Sequence, residues 1–195
     1  MMEQNTEALV KRVKAGDKTA LSSLVSKYEK QVYRICYRFF NNEEDALDAS
    51  QEVFIKVIQN IDSFECKSMF KTWIYRITLN TCLSISDRKK RERDGILKYL
   101  TDWIGNLSFF DVESEVIEKE EKELNHQILQ ESIIKIPEKY RVPLILKDLE
   151  DLSLERISEI CEIPIGTVKS RLNRARIMLM EKIEIQLKAN EYEKM

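Results

Sequence analysis

Glycine and proline are scarce in this 195-residue chain, four and three of them respectively. Turn chemistry is therefore too thin for a hairpin-rich β fold, and long helices are favoured. No strict alternation of apolar and polar residues of the strand type occurs. His126 is the only histidine, so a zinc site would need an unusual ligand set and a Ser-His-Asp triad would rest on that one residue. Cys36, Cys66, Cys82 and Cys161 are scattered without Cys-x-x-Cys spacing. Each falls in or beside an apolar stretch, where a small buried thiol fits. No apolar run approaches the ~20 residues that span a bilayer. Met1-Met2-Glu3-Gln4-Asn5 lacks the charged-then-apolar form of a secretory signal. A cytoplasmic protein without membrane insertion, metal or cofactor is expected.

What is present is charge, and it is segregated. Hydrophobic residues make up 43% and charged residues 34% of the chain, a balance that suits thin helical domains rather than one deep core. The net charge of −2 conceals blocks of one sign. Asn41 to Glu65 holds seven acids against Lys56, whereas Lys67 to Arg93 holds eight basic residues against Asp87 and Glu92. Asp111 to Glu123 is acidic again, and Gly166 to Lys182 carries five basic residues against Glu181. Acidic and basic surfaces on one chain point to two kinds of partner.

The periodicity predicts an all-α fold of two small helical domains joined by a linker. Leu9, Val10 and Val13 open a helix that Gly16 ends, and Asp17 caps the next. Leu21, Leu24, Val25, Tyr28, Val32, Ile35, Cys36 and Phe39 recur at three- and four-residue steps, the mark of a core-facing stripe. Asn41-Asn42 breaks that helix. A third runs from Glu43 to about Ile61 and is closed by Asp62-Ser63; a fourth extends from Met69 into the basic run ending at Arg91. Beyond that run, Gly95, Gly105, Asn106 and Ser108 interrupt the periodicity. The expected boundaries are 1–93 for the first domain, 94–112 for an apolar linker, 113–187 for the second domain and 188–195 for a tail. Within the second, Ser114 is placed to cap a helix through Lys135. Pro137 opens another, with Pro143 expected near its start, where a missing N–H is tolerable.

The segment from Leu152 to Leu179 reads as a helix-turn-helix. Ser153 is the first cap; Leu154, Ile157, Ile160 and Cys161 give a short helix one buried face, and Pro164 blocks its continuation. Val168, Leu172, Ala175 and Leu179 line the inner stripe of the second helix. At about 100° per residue, Lys169, Asn173, Ser170 and Arg174 fall about 100°, 140°, 200° and 240° away from Val168. These are the side chains expected in a major groove. Arg171 and Arg176 flank them, where a long cation reaches phosphate, and Thr167 adds a contact at the helix start.

The residues Leu152-Ser153 and Ile165-Gly166-Thr167-Val168-Lys169-Ser170-Arg171-Leu172-Asn173-Arg174-Ala175-Arg176 resemble the end of bacterial extracytoplasmic-function sigma factors of the sigma-70 family. Ile136-Pro137-Glu138-Lys139-Tyr140-Arg141 resembles the segment before it. Gly16-Asp17, Asp45 to Phe54 and Phe70 to Asn80 are similar to the family's N-terminal domain. The resemblance spans nearly the whole chain except the linker. It implies a polymerase subunit without covalent chemistry of its own: residues 1–93 would grip the β′ clamp helices of core RNA polymerase and open the −10 element, and residues 113–187 would meet the β flap and read the −35 element of promoter DNA. It also implies an anti-sigma factor that closes the two domains together.

The residues support each role separately. Asp45, Asp48 and Glu52 form an acidic stripe with Gln51 adjacent, in a segment almost without internal basic partners, which suits a basic protein surface. Phe70, Trp73, Ile74 and Ile77 form an inner face of the fourth helix, whereas Thr72, Arg76 and Asn80 recur every four residues as a polar stripe bordered by Trp73. Unpaired strands are held by aromatic or apolar pockets and cationic tracks; Lys67, Lys71 and Arg76 supply cations. By resemblance, the loop Phe64 to Met69 and Asn80 would hold a flipped −10 base. The chain departs from the family at Leu47, where an acid is frequent, at Ala49, where a larger aliphatic is frequent, and at Asn173, a variable base-reading position. Two other classes compete: a helix-turn-helix regulator acting without polymerase, which would have no use for the acidic stripe, and a helical metal-dependent nucleotide hydrolase using Glu44, Asp48 and Glu52 on magnesium, which would leave the basic helix unexplained.

Overall fold

A computed structural model describes residues 2–65, 69–103 and 121–193, and the regular elements among them are all helical. Helix α1 (Met2–Lys14) stops at Gly16, whose φ of +84° suits a residue without Cβ. Asp17 then caps α2 (Lys18–Phe40), accepting hydrogen bonds from the backbone N–H groups of Thr19 at 2.9 Å and Ala20 at 3.1 Å. Hydrogen bonds from the Thr19 hydroxyl, the Ala20 N–H and Arg12 hold this carboxyl well below the usual carboxylate range. Asn41, in the left-handed region, ends α2. The Asn42 side chain caps α3 (Glu43–Asn60) through the Asp45 N–H, with Glu43, Glu44 and Asp45 at the positive end of the helix dipole. A 3₁₀ turn (Ile61–Ser63) closes α3.

Helix α4 (Phe70–Trp103) continues past residue 93 into the stretch expected to be linker. Gly95 does not end it, because a single glycine costs a helix only ~1 kcal/mol against alanine and Ile96, Leu97, Lys98 and Leu100 are competent helix formers. The rest of the expected linker, and Ser114 as a cap, lie outside the described residues. Helices α2, α3 and α4 share a core in which Ile35, Cys36, Ala46, Ala49, Val53 and Cys82 are fully buried. Ala49 is small because it sits inside this helix contact. The Cys36 and Cys82 sulfurs lie 3.7 Å apart there.

In the second half, α5 (Glu121–Ile134) leads to α6 (Glu138–Leu144), which Pro137 opens. Pro143 proves to lie near the end of α6 rather than its start. Its missing N–H breaks the i to i−4 ladder, and the chain widens at once into a π turn (Ile145–Leu149). Helices α7 (Leu154–Cys161) and α8 (Ile165–Glu193) come next, and α8 continues beyond residue 187 without a separate tail there. The second half folds back on the first: α7 lies against α4, and α5 and the π turn lie against α2. The apolar core is continuous across both halves, from Val10 to Ala175.

Candidate nucleic-acid interface

The Ser153 hydroxyl accepts from the Arg156 N–H at 3.2 Å and starts α7. Glu162, at φ 55°, ends it. The Ser158 hydroxyl ties the turn by donating to the Ile163 carbonyl, and the Pro164 carbonyl receives the N–H groups of Thr167 and Val168. Helix α8 then buries Val168, Leu172 and Ala175 against Ile157 and Ile160, with Leu179 half-buried. Lys169, Ser170, Asn173 and Arg174 all stand exposed on the opposite side. Replacing Ser153 by Ala should lower unfolding stability by about 1 kcal/mol, measurable in urea; an unchanged midpoint would show that α7 does not depend on this cap.

The flanking residues behave differently. Thr167 is half-buried, and its carbonyl receives the Ser170 hydroxyl at 3.0 Å. Arg171 is half-buried and lines a cleft of about 320 Å³ between the halves, together with Arg76, Asn80, Lys139 and Cys161. Arg176 presents the Nε and Nη2 edge of its guanidinium to the two carboxylate oxygens of Asp148, at 3.0 and 2.6 Å. That hydrogen-bonded pair raises the Arg176 pKa. Burial pushes the Cys161 thiol up to about 11, which makes it a poor nucleophile at neutral pH.

On α4 the polar stripe is largely covered. Thr72 is only 1% exposed, and its hydroxyl accepts from Arg156 at 2.6 Å. Arg76 donates to the Glu159 carbonyl at 2.7 Å and pairs with Glu162 at 2.9 Å. Asn80 remains exposed, Lys71 rests 5.6 Å from the Tyr75 ring centroid, and Lys67 lies outside the described residues. Phe64, expected beside a base pocket, packs inward. Its ring is 3% exposed and packs 5.3 Å from both Phe70 and Trp73, so it belongs to the core. Trp73 is half-buried on the same cluster.

The acidic stripe of α3, in a segment almost without internal basic partners, draws one partner from its own helix and one from outside it. Asp45 is bonded to Lys89, and Glu52 pairs with Lys56 at 2.7 Å. Lys89 comes from α4, forty-four residues away in sequence, so no local pattern announces it. Asp48 and Gln51 stand exposed. Beside them is an apolar hollow of about 330 Å³ lined by Val25, Tyr33, Leu47, Gln51 and Phe54. Leu47 is 51% exposed at its rim. Leu47, Gln51 and Phe54 are spaced at four- and three-residue steps along α3, which is the sequence signal for this hollow. Among the described residues no cluster of His, Cys, Asp and Glu suited to a metal occurs, and no helix is long and apolar enough to cross a membrane.

A second feature escaped sequence reasoning. The Glu150 side chain, 1% exposed, is clamped by Arg34 from α2 at 2.8 and 2.6 Å and by Arg38. Arg38 also donates to the Leu149 carbonyl. The hydrogen bonds to Glu150 raise the Arg34 pKa, whereas burial lowers that of Arg38. Arg141 of α6, itself buried, lies 4.4 Å from the Phe39 ring of α2 and donates to the Ile134 carbonyl.

The chain matches the family models Sigma-70 region 2 over residues 24–92 and Sigma-70 region 4 over residues 126–179. The extracytoplasmic-function (ECF) RNA polymerase sigma factor SigW of Bacillus subtilis is 35% identical over 186 residues, which cover 93% of this chain and 98% of that protein. The ECF RNA polymerase sigma-E factor of Haemophilus influenzae is 38% identical over 188 residues, 94% of this chain and 98% of that one. The fold is shared with CnrH in its complex with the cytosolic domain of CnrY, at a TM-score of 0.65 and 18% identity over 93% of this chain and 98% of that one. It is shared also with RpoE of Bartonella quintana in complex with the anti-sigma factor NepR, at 0.62 and 22% over 84% and 96%.

Proposed function

Because this chain belongs to the ECF sigma factors of the sigma-70 family and directs promoter-specific transcription initiation with RNA polymerase, we propose that three of its surfaces divide that work. The exposed row Lys169, Ser170, Asn173 and Arg174 on α8 reads base edges of the −35 element in the major groove, with Thr167, Arg171 and Arg176 at its margins on phosphates. Lys71, Arg76 and Asn80 on α4 meet the opened −10 strand, stiffened from beneath by Phe64 and Trp73. Asp48 and Gln51, flanked by Asp45 and Glu52 and by the hollow at Leu47, dock on the β′ clamp helices of the polymerase core. The C-terminal half also meets the β flap.

In this reading residues 1–93 and 113–187 are the two working domains, and helix α4 extends from the first beyond residue 93. The protein acts in the cytoplasm by binding energy alone, without catalysis or cofactor. An anti-sigma factor restrains it, a partner suggested by RpoE, which was captured with NepR. The observation that carries the proposal is the outward basic face of α8 on a fully packed helix-turn-helix.

Transcription of a promoter library by core polymerase plus this chain tests it. One enriched −35 and −10 pair is expected, and no enrichment would overturn the reading. Arg174→Ala should cost about 1–3 kcal/mol on the enriched −35 sequence and relax preference at one base position. Uniform weakening on every sequence would instead mark Arg174 as a phosphate contact.

A further inference from the structure

A single lysine serves two helix ends in the first half of the molecule. Lys14, the last residue of α1, donates from its ammonium to the Asp62 carbonyl at 3.0 Å and to the Phe64 carbonyl at 2.8 Å, forty-eight and fifty residues further along the chain. Carbonyls at the end of a helix lack partners within it and carry the negative end of its dipole, so a cation is stabilising there. The two ends are those of α1 itself and of the 3₁₀ turn that closes α3. Earlier carbonyls of this crossover are answered locally: Ile61 receives the Phe64 N–H at 3.2 Å, and Asn60 receives the Ser63 hydroxyl at 2.7 Å. Those of Asp62 and Phe64, at its exit, are held by Lys14. Phe64 passes the anchorage on. Its ring meets Phe70 and Trp73, each at 5.3 Å, and Phe70 in turn meets Tyr28 of α2 at 5.3 Å. Phe70 and Trp73 belong to the first turn of α4, and Lys71 lies between them. Ring contacts are favourable over a range of offsets and tilts, whereas charge-assisted hydrogen bonds to two carbonyls fix a backbone in direction as well as distance.

We propose that Lys14 is a positioning residue for promoter opening: by pinning Asp62 and Phe64 it sets where the start of α4, with Lys71, meets the opened −10 strand. It acts through the aromatic contacts of Phe64 with Phe70 and Trp73, not on the strand itself. A small displacement of such a support is costly, because groups that must meet a substrate in one geometry lose their advantage when the frame beneath them shifts. Lys11 supplies the comparison, since it is exposed in the same last turn of α1 and carries the same charge. The inference rests on the assignment of Lys71, Arg76 and Asn80 to the −10 strand.

The test uses holoenzyme assembled from core polymerase and the full-length chain. Lys14→Met keeps the stem and the helix propensity and removes the cation. It should slow the appearance of permanganate-reactive −10 thymines about tenfold, the worth of one charge-assisted hydrogen bond. Preference for the best −10 sequence over singly substituted ones should shrink, while preference at −35 and affinity for core polymerase stay as in the parent. Lys14→Arg, which keeps the cation, should restore most of the opening rate, and Lys11→Met should leave it unchanged. Parental opening by Lys14→Met would overturn the proposal, as would a joint fall in −10 and −35 preference, which marks a loss of fold. Equal weakening on every promoter, with the salt slope reduced by about 1, would overturn it too by making Lys14 a phosphate contact. Asn80→Ala reports separately on the α4 assignment. If it impairs opening while Lys14→Met does not, the role of Lys14 alone is wrong; if it leaves opening unchanged, the assignment fails and the inference with it.

Discussion

Reversing the charge at Asp48 is expected to weaken association with core RNA polymerase about a hundredfold, or ~3 kcal/mol, since like charges brought together at an interface cost several kcal/mol. Asp48 is exposed on α3, next to Gln51 and the hollow at Leu47. Asp48→Lys should therefore fold as the parent does. Asp45 and Glu52 already share their charge with Lys89 and Lys56, so reversing either should cost less. Polymerase pull-down or fluorescence anisotropy with labelled chain measures the loss. If Asp48→Lys binds core as tightly as the parent, the clamp surface is elsewhere.

Leu172→Ala is expected to destabilise the C-terminal half by about 2–5 kcal/mol, the usual cost of emptying a packed leucine site. Leu172 is 4% exposed, and its neighbours on the inner stripe, Val168 and Ala175, are fully buried. Because the side chain is turned into the core, its loss acts on DNA binding only through folding. Chemical denaturation should show a lower midpoint, and −35 binding should fall only as far as the folded fraction falls. A midpoint unchanged within error would mean that α8 is held by something other than this stripe.

Much of this molecule is legible from short spans of sequence because the physics involved is local. Gly16 and Asp17 mark a helix junction within two residues, and Ser153 and Pro164 mark both helix starts of the helix-turn-helix. Val168, Leu172 and Ala175 fix which side of α8 is buried, and so which side is not. What local pattern leaves hidden depends on partners far along the chain. Thr72 has the look of a surface residue in a polar stripe, but Arg156, eighty-four positions later, covers it. Glu150 has the look of one more surface acid, yet Arg34 and Arg38, more than a hundred positions earlier, enclose it. Phe64 belongs to a loop by its neighbours in sequence and to the core by its contacts with Phe70 and Trp73. Gly95 and Pro143 mislead for a different reason: each is a breaker whose effect depends on whether the surrounding helix tolerates the local loss.

The widened turn at Ile145–Leu149 behaves as a splice in the chain. A π turn is an ordinary helix carrying one surplus residue, and each residue swings the downstream chain by about 100°. Taken out, that residue would carry Glu150, Ser153 and the whole helix-turn-helix round by more than a quarter of a revolution. The bearing of one half of the protein on the other is thus indexed by a single amino acid, in a turn that Leu144 alone separates from Pro143.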